Sequence, residues 1–221
     1  MTALTVLYQD GRLIAVAKPA GQDTIPARGA AAFEPLNLEV GRFVGARVFI
    51  VHRLDREASG LVLFAKDADA HRLLCAAFER HKVDKAYLAL VQGRVAKEGT
   101  VALAMRAFGS GRIAVDPEGK PSLTRYRPLR PFAQATLLEA RPMTGRRHQL
   151  RVHLYAIGHP ILGDMKYGSP RPVGGAPRLM LHAQSLSLEG PGGPLTLRCE
   201  PPEDFTRVLD TLGPCDSSNQ V

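Results

Sequence analysis

Short runs of alternating apolar and polar residues dominate this chain, and such alternation is typical of β-strands. The first run, residues 4–21, is interrupted at Asp10-Gly11, which predicts two strands joined as a hairpin. The next stretch, residues 22–37, lacks a regular pattern and contains Pro and Gly, so a loop is predicted there. Further strands are predicted at residues 47–65 (split by HRLDREASG), 85–93, 100–106, 112–115, 122–127 and 134–141, and in RLMLHAQSLSL and PLTLRCE.

Two other segments have the spacing of amphipathic helices. Asp67 is predicted to cap a helix that runs to about His81. A second helix is predicted in TGRRHQLRVHLYAIGHP, where Gly158 marks the C-terminal stop. The residues expected to face the core are Ala70, Leu73, Leu74, Ala77 and Phe78 in the first helix and Leu150, Leu154 and Ile157 in the second.

Many strands with few helices predict an α+β fold built on a mainly antiparallel sheet. The sequence contains no internal repeat and no evident linker. One domain is therefore expected over residues 1–212, and the tail from Gly213 is expected to be disordered.

Positive charge is concentrated before the C-terminal region. From Glu200 onward there are five acids and one arginine, so the net charge of +8 corresponds to +12 over residues 1–199. The segment 141–151, RPMTGRRHQLR, contains four arginines and no acid. A basic stripe of this kind fits a polyanion such as nucleic acid, although a solvated charged surface explains the charge equally well.

Cysteine usage and hydropathy favour a cytoplasmic protein without a membrane segment. The three cysteines lack CxxC spacing, and neither a basic leader nor a run of about 18 apolar residues is present. No metal is predicted: His148 and His153 are five residues apart and cannot share one helix face, and HExxH is absent. No cofactor is predicted either, because neither a phosphate-binding loop nor a dinucleotide fingerprint occurs.

The main candidate for chemistry is Asp55, which lies among cationic side chains just before an apolar run in HRLDREASGLVLFAKD. An aspartate in such a cluster is more often a salt bridge than a catalyst. Arg151, with His148 one turn before it and Tyr155 one turn after it, is predicted to form a polar stripe opposite the helix leucines. Tyr87 has room for a planar ligand over its ring. An arginine beside Asp55 would keep the carboxylate ionised despite burial, as a nucleophile or a stabiliser of an oxocarbenium ion requires.

Four segments, taken in order, resemble the successive motifs of the RluA-type family of RNA pseudouridine synthases, and KPAG at 18–21 resembles the opening motif of that family. The four segments are HRLDREASGLVLFAKD, KAYLALVQG, GRRHQLRVHLYAIGHPILGDMKYG and RLMLHAQSLSL. The resemblance covers roughly residues 10 to 190. No counterpart of the auxiliary N-terminal RNA-binding module of the family is expected, because the catalytic-domain hairpin starts at once.

The resemblance implies a pseudouridine synthase catalytic fold with a central RNA-binding cleft. It also implies a base-flipping isomerisation of uridine in ribosomal or transfer RNA, without a cofactor. A monomer is expected because the chain is predicted to form a single compact domain. By position in the motifs, Asp55 matches the catalytic aspartate, Tyr87 the tyrosine that stacks on uracil, and Arg151 the arginine paired with the catalytic carboxylate. Arg53 matches a position that fills the gap left by the extruded base.

Further RNA contacts are expected from the start of the basic helix, at Arg146, Arg147 and His148. Two positions depart from the family pattern: Ala58 replaces a hydroxyl residue, and Arg147 replaces the threonine of GRTHQ. Both lie beside the catalytic set. The stretch after KPAG, QDTIPARG, also departs from the family pattern, and no functional residue is predicted there.

Two other functions stay open at this point. A non-catalytic RNA-binding protein could keep the fold, although binding alone does not need Asp55, Tyr87 and Arg151 together. A nucleoside or glycoside hydrolase usually needs two flanking carboxylates, and Glu57 is too close in sequence to Asp55 to be the second. Asp164 is the other candidate for that second carboxylate, and a turn-stabilising role fits it better.

Overall fold

The computed structural model describes residues 4–26, 33–109, 111–168 and 175–213. In chain order its elements are β1 (Thr5–Gln9), β2 (Leu13–Lys18), α1 (Leu36–Val44), β3 (Phe49–Ile50), β4 (Ser59–Ala65), α2 (Ala68–Glu79), β5 (Asp84–Gln92), β6 (Gly99–Val101), β7 (Met105–Ala107), β8 (Ile113–Val115), β9 (Thr124–Pro131), β10 (Ala135–Pro142), α3 (Gln149–Ala156), β11 (Leu181–Gly190), β12 (Gly193–Arg198) and α4 (Glu203–Thr211). The chain forms two compact units. The first comprises Met1–Lys85 and His182–Pro201, and the second comprises Ala86–Leu181 and Pro202–Val221.

The first unit is a sheet built around β4, in which all seven residues are buried. Strands β2 and β3 pair antiparallel to β4, and the β1–β2 hairpin extends the sheet on one side. Strand β11 pairs parallel to β4, and β12 returns antiparallel to β11. Helix α2 covers the sheet. Its N-cap Asp67 accepts a hydrogen bond from the backbone N–H of Ala70, as the capping pattern predicts.

Gly60 allows the parallel contact between β4 and β11. Its φ of +119° disfavours any side chain, and a Cβ atom there would lie 2.3 Å from the carbonyl oxygen of Ala183. The glycine that ends HRLDREASG is therefore required by the close approach of two backbones.

The second unit is an antiparallel sheet in which β10 lies between β5 and β9, and β6 pairs with β9. Strands β7 and β8 form a separate two-stranded ribbon. Helix α3 packs on one face of the larger sheet, because the hydroxyl of Thr124 in β9 contacts both Gln149 and His153 of that helix. The register pairs Ala140 with Tyr87 on one side and with Tyr126 on the other, so Tyr87 projects from the same face as Thr124.

The α+β fold and its mainly antiparallel sheet are confirmed, and so are the two predicted helices, as α2 and α3. Two other helices were not predicted. The loop prediction for residues 22–37 is wrong at its end, because α1 begins at Leu36; this short helix has Gly41 in its middle and no side-chain cap. Helix α4 buries only Phe205 and Val208, too few apolar positions to give a clear period.

The prediction of a single domain over residues 1–212 stays a prediction. The predicted disordered tail begins at Gly213, and its residues 214–221 lie outside the described part of the chain. Across the described ranges, no helix is both long and apolar enough to cross a membrane.

Candidate active site

Asp55 lies in the loop between β3 and β4, in the first unit. Its side chain is partly exposed, between the buried Leu54 and the exposed Arg56. The backbone carbonyl of Asp55 accepts a hydrogen bond from the N–H of Ala58 at 3.2 Å, which makes a tight turn directly after the aspartate. Arg53 is exposed two positions earlier. The loop thus presents one carboxylate on a turned backbone.

Buried polar groups hold the loop on both sides of Asp55. The hydroxyl of Thr24 donates to the carbonyl of Leu54 at 3.3 Å and accepts from the N–H of Leu54 at 3.2 Å. The ammonium of Lys18 donates to the carbonyl of Arg56 at 3.1 Å and to two further carbonyls, those of Pro19 and Gln22, at 2.8 Å each.

These two contacts come from residues 18–24, the KPAG segment and its continuation, where no functional residue was predicted. The lysine is 1% exposed and the threonine 3% exposed. Both side chains form hydrogen bonds with backbone groups of the turn that have no partner in a strand. These hydrogen bonds fix the position of the turn. No pattern in the sequence marks Thr24 for this task, because its partner Leu54 is 30 positions away.

Thr24→Val is expected to lower both stability and turnover. The substitution leaves the N–H and C=O of Leu54 without their partner, at a cost of about 1–3 kcal/mol. The turn would then move and reduce kcat, whereas KM for RNA would change little. Thr24→Ser keeps the hydroxyl and is the matched control. Urea unfolding and single-turnover kinetics measure the two effects; equal kcat in the Val and Ser variants would contradict the positioning role.

His52 anchors the start of the same loop. Its Nε2 accepts a hydrogen bond from the N–H of Leu63 at 3.0 Å, and its ring stacks on Phe78 at a centroid distance of 5.0 Å. Desolvation of the ring, aided by the nearby Lys85 ammonium, lowers the pKa of His52 to about 3. The folded protein therefore keeps this histidine neutral.

Stability is expected to fall as the pH drops below about 6.5. In the unfolded chain a histidine binds its proton near pH 6.5, whereas the pKa of His52 in the folded state is about 3. Between these values the unfolded state binds more protons, so acid favours unfolding. Chemical denaturation of His52→Gln from pH 7 to 4 should show a shallower loss of stability than the wild type. The exposed His81→Gln is the control, and equal slopes in the wild type and His52→Gln would exclude this role of His52.

Tyr87 and Arg151 lie in the second unit. Tyr87 is partly exposed on β5, between the buried Ala86 and Leu88. Arg151 is on α3, which packs on the face of the sheet from which Tyr87 projects. The structure therefore brings these two predicted residues to one side of the sheet. The predicted pairing of Arg151 with the carboxylate of Asp55 stays a prediction.

Arg151 forms a buried ion pair with Asp164. Its Nε donates to Oδ2 at 2.8 Å and its Nη2 donates to Oδ1 at 2.7 Å, and the two side chains are 3% and 1% exposed. The same Oδ1 also accepts the backbone N–H groups of Lys166 and Tyr167. Burial raises the pKa of Asp164, but the bonds from Arg151 outweigh it, so that the pKa lies below its ordinary value. The interpretation of Asp164 as a turn-stabilising aspartate is confirmed.

The predicted polar stripe on α3 is wrong. Arg151 is buried, and His148 precedes the helix as its N-cap, with a positive φ of 55°. The basic stripe predicted over residues 141–151 is also not one surface. Arg141 is on β10, Arg146 and Arg147 are in the turn before α3, and Arg151 faces Asp164.

The turn that carries the predicted RNA-binding residues is fixed by Gln149. Its Oε1 accepts from the hydroxyl of Thr144 at 2.7 Å and from the backbone N–H of Arg146 at 3.0 Å. Arg147 is exposed, Arg146 is partly buried, and Nδ1 of His148 is 2.7 Å from the hydroxyl of Tyr167. Neither Gln149 nor Tyr167 was predicted to matter.

Comparison with known proteins gives relatives over nearly the whole chain. The ribosomal large subunit pseudouridine synthase D of Nitrosomonas europaea is 38% identical over 224 residues, which cover 95% of this chain and 65% of that protein. The tRNA pseudouridine synthase C of Pectobacterium carotovorum subsp. carotovorum is 36% identical, covering 96% of this chain and 63% of its own length. The chain thus spans less than two thirds of either bacterial protein.

A solved structure agrees with these relatives. Human RNA pseudouridylate synthase domain containing 4 matches with a TM-score of 0.78 and 26% identity, over 94% of this chain and 92% of that one. The family model described as RNA pseudouridylate synthase matches residues 12–156. That range contains Asp55, Tyr87 and Arg151, and the chain belongs to the RNA pseudouridylate synthase family, as its RluA-type motifs indicate.

Proposed function

We propose that the protein isomerises specific uridines to pseudouridine in structured RNA, with Asp55 as the catalytic carboxylate. The observation that carries the proposal is the Asp55 turn. In a chain of this family, a single aspartate is presented between two backbone positions that buried polar groups hold, Leu54 by Thr24 and Arg56 by Lys18. A carboxylate fixed in this way needs little reorganisation when it reacts.

The reaction is balanced without a second substrate. The bond between uracil N1 and ribose C1′ breaks, the base turns, and a bond forms between C1′ and C5; C5 loses a proton and N1 gains one. A stacked base is out of reach, so the nucleotide must first flip out, at a cost of a few kcal/mol. Arg53 is proposed to occupy the vacated space. Tyr87 is proposed to stack on the uracil, a contact that contributes about 1–3 kcal/mol.

The proposed RNA contacts are electrostatic. Arg146 and Arg147 are proposed to contact phosphates beside the flipped nucleotide, and His148 is proposed to contact RNA next to them. The turn that Gln149 fixes supports this assignment, because a preorganised turn loses little entropy on binding. The bacterial relatives are named for ribosomal and transfer RNA, and we propose the same classes of substrate here. The protein is proposed to act as a monomer in the cytoplasm; Cys75 and Cys199 are both free thiols, which fits a reducing compartment.

The hydrolase alternative is weakened by Asp164. Its carboxylate is bound by Arg151 and two backbone N–H groups, and its side chain is 1% exposed. It is therefore not placed to activate a water molecule. The non-catalytic RNA-binding alternative is left for experiment to decide.

The test is an assay of the purified protein on total RNA from a strain that lacks its gene, with pseudouridine mapped at single-nucleotide resolution and no cofactor or metal added. New pseudouridine at defined positions, without release of uracil, supports the proposal. Release of free uracil would identify a hydrolase. Tight RNA binding without any conversion would identify a binding protein.

A further inference from the structure

Four arginines project from one face of the second-unit sheet. We name this surface, formed by Arg125, Arg127, Arg130 and Arg141, the arginine face. The β9–β10 register pairs Arg125 with Arg141 and Arg127 with Glu139. Residues that pair directly across two strands project from the same face, and so do residues two positions apart on one strand. Arg125, Arg127 and Arg141 therefore lie together.

A β-bulge places Arg130 beside the other three. The register passes from Pro128 opposite Leu138 to Arg130 opposite Leu137, so Leu129 is an extra residue on β9. Simple alternation would place Leu129 on the face of Arg127 and Arg130 on the other face. Because of the extra residue, Arg130 projects from the same face as Arg127. The face therefore has a fourth guanidinium.

Glu139 lies inside this cluster and orients two of the arginines, and Glu98 lines a surface cavity with the same two arginines. Glu139 accepts from Arg127 at 2.8 Å and from Arg141 at 2.9 Å, and these hydrogen bonds lower its pKa to about 2. It is therefore ionised at all physiological pH values. Across the described ranges, neither Arg125 nor Arg130 has a carboxylate within 4.0 Å, and both are exposed.

Placing these arginines together lowers the stability of the folded protein unless an anion binds to them. Arg125 and Arg141 lie directly opposite one another, and like charges in cross-strand pairs are destabilising. Glu139 and Glu98 offset only part of the repulsion among the four cations. A negatively charged partner would offset the remainder, and a surface cavity of about 360 Å³ is lined by Arg125, Arg127 and Arg141 together with Glu98, Tyr126 and Glu139.

The arginine face lies on the opposite side of the sheet from α3. Thr124 and Tyr126 alternate with Arg125 and Arg127 along β9, and Thr124 contacts α3. The face is therefore also opposite to Tyr87 and to the turn of Arg146 and Arg147. Within the second unit, the arginine face is therefore separate from Tyr87 and Arg151.

We propose that the arginine face is a second RNA-binding surface, which contacts the phosphodiester backbone of the substrate away from the reacting uridine. The proposal rests on the proposed function, which makes RNA the polyanion that this protein meets. Planar guanidiniums match phosphate oxygens with two parallel hydrogen bonds, and four of them on one strand pair suit a linear row of phosphates. An RNA that contacts both faces of the sheet must be long enough to pass around the edge of the sheet. The preferred substrate is therefore a large folded RNA and not an isolated stem-loop.

Removing two of the four charges tests this surface. In Arg125→Gln/Arg130→Gln the arginines that hold Glu139 are kept, so the sheet should fold normally, as circular dichroism can verify. The matched control is Arg72→Gln/Arg207→Gln, which removes the same charge from exposed helix positions where each arginine pairs with an acid of its own helix. The probes are in vitro transcribed large-subunit ribosomal RNA, unmodified tRNA transcripts and a short synthetic stem-loop.

Filter binding over a range of salt concentrations gives the readout. The Arg125/Arg130 variant should bind at least one of the two folded RNAs about tenfold more weakly than the control, with a salt slope lower by about 1–2, and should bind the stem-loop equally well. Equal Kd values and salt slopes for both variants on both folded RNAs would overturn the proposal, and an acidic protein would then be the partner to test. If the wild type forms no pseudouridine in either RNA, the proposed function fails, while the binding comparison still decides the role of the arginine face.

Discussion

Asp55→Asn is expected to lower pseudouridine formation about 10⁴-fold or more, with RNA binding retained. The amide has the shape of the carboxylate but can neither act as a nucleophile nor remove a proton. The contacts of the loop with Thr24 and Lys18 involve the backbone of residues 54 and 56, so the turn should keep its position. Single-turnover conversion of a responsive RNA, with filter binding in parallel, measures the two effects separately.

The neighbouring acid provides the control for this experiment. Glu57 is exposed two residues after Asp55 and has the same charge. Glu57→Gln should leave conversion within about threefold of the wild type, because the proposed reaction needs one carboxylate and assigns that role to Asp55. Loss of activity in Glu57→Gln with retention in Asp55→Asn would reverse the assignment. Asp55→Asn that converts RNA at the wild-type rate would remove Asp55 from the mechanism.

Asp164→Asn is expected to destabilise the protein by about 3–5 kcal/mol, because it removes the counter-charge that Asp164 supplies to the buried guanidinium of Arg151. The neutral amide cannot accept both hydrogen bonds from Arg151 and the two from the backbone N–H groups of residues 166 and 167. The free energy of unfolding from urea titration measures the loss. Asp69→Asn, at an exposed ion pair on α2, is the control and should cost less than about 1 kcal/mol.

A double-mutant cycle separates the ion pair from the packing. Arg151→Met leaves a buried Asp164 charge, and its cost should be similar to that of Asp164→Asn. Combining Arg151→Met with Asp164→Asn removes both charges, so the double variant should be more stable than the sum of the two single losses predicts, by at least about 1 kcal/mol. Strict additivity would show that the two residues act independently. The double variant should have low activity even where it is folded, since Arg151 is predicted to serve Asp55.

Most strands and two of the helices could be predicted because their information is local, although the single strand predicted at 100–106 is divided between β6 and β7. Alternation over a few residues gives β5, and a capping aspartate with a 3.6-residue period gives α2. Helices α1 and α4 depend on their surroundings, since each buries only two side chains. The spacing of apolar residues in the sequence cannot reveal a helix with so small a buried face.

The roles of the individual site residues stay predictions, and the contacts that hold these residues could not be predicted from the sequence. Motif resemblance indicated Asp55, Tyr87 and Arg151 by position. The contacts that hold them join residues far apart in the chain, such as Thr24 with Leu54, 30 residues away. The polar stripe on α3 failed for the same reason, because the charge of Arg151 suggested a surface position whereas Asp164 lets it be buried. Each charged residue alone suggests an exposed position, but two opposite charges that pair can both be buried.

The parallel contact between β4 and β11 has a consequence for protein synthesis. The strand that follows the Asp55 loop is completed by residues 182 and 183, where His182 lies 3.0 Å from the hydroxyl of Ser59 and its other ring nitrogen contacts the carbonyl of Cys199. A ribosome must therefore make at least the first 183 of the 221 residues before this part of the first unit can form. Until then the start of β4, at Ser59 and Gly60, lacks its β11 partner, although β3 can already pair with Phe64 and Ala65. Nascent chains stalled before residue 182 should be sensitive to protease around residues 51–65 and should depend on chaperones, while longer chains should be protected.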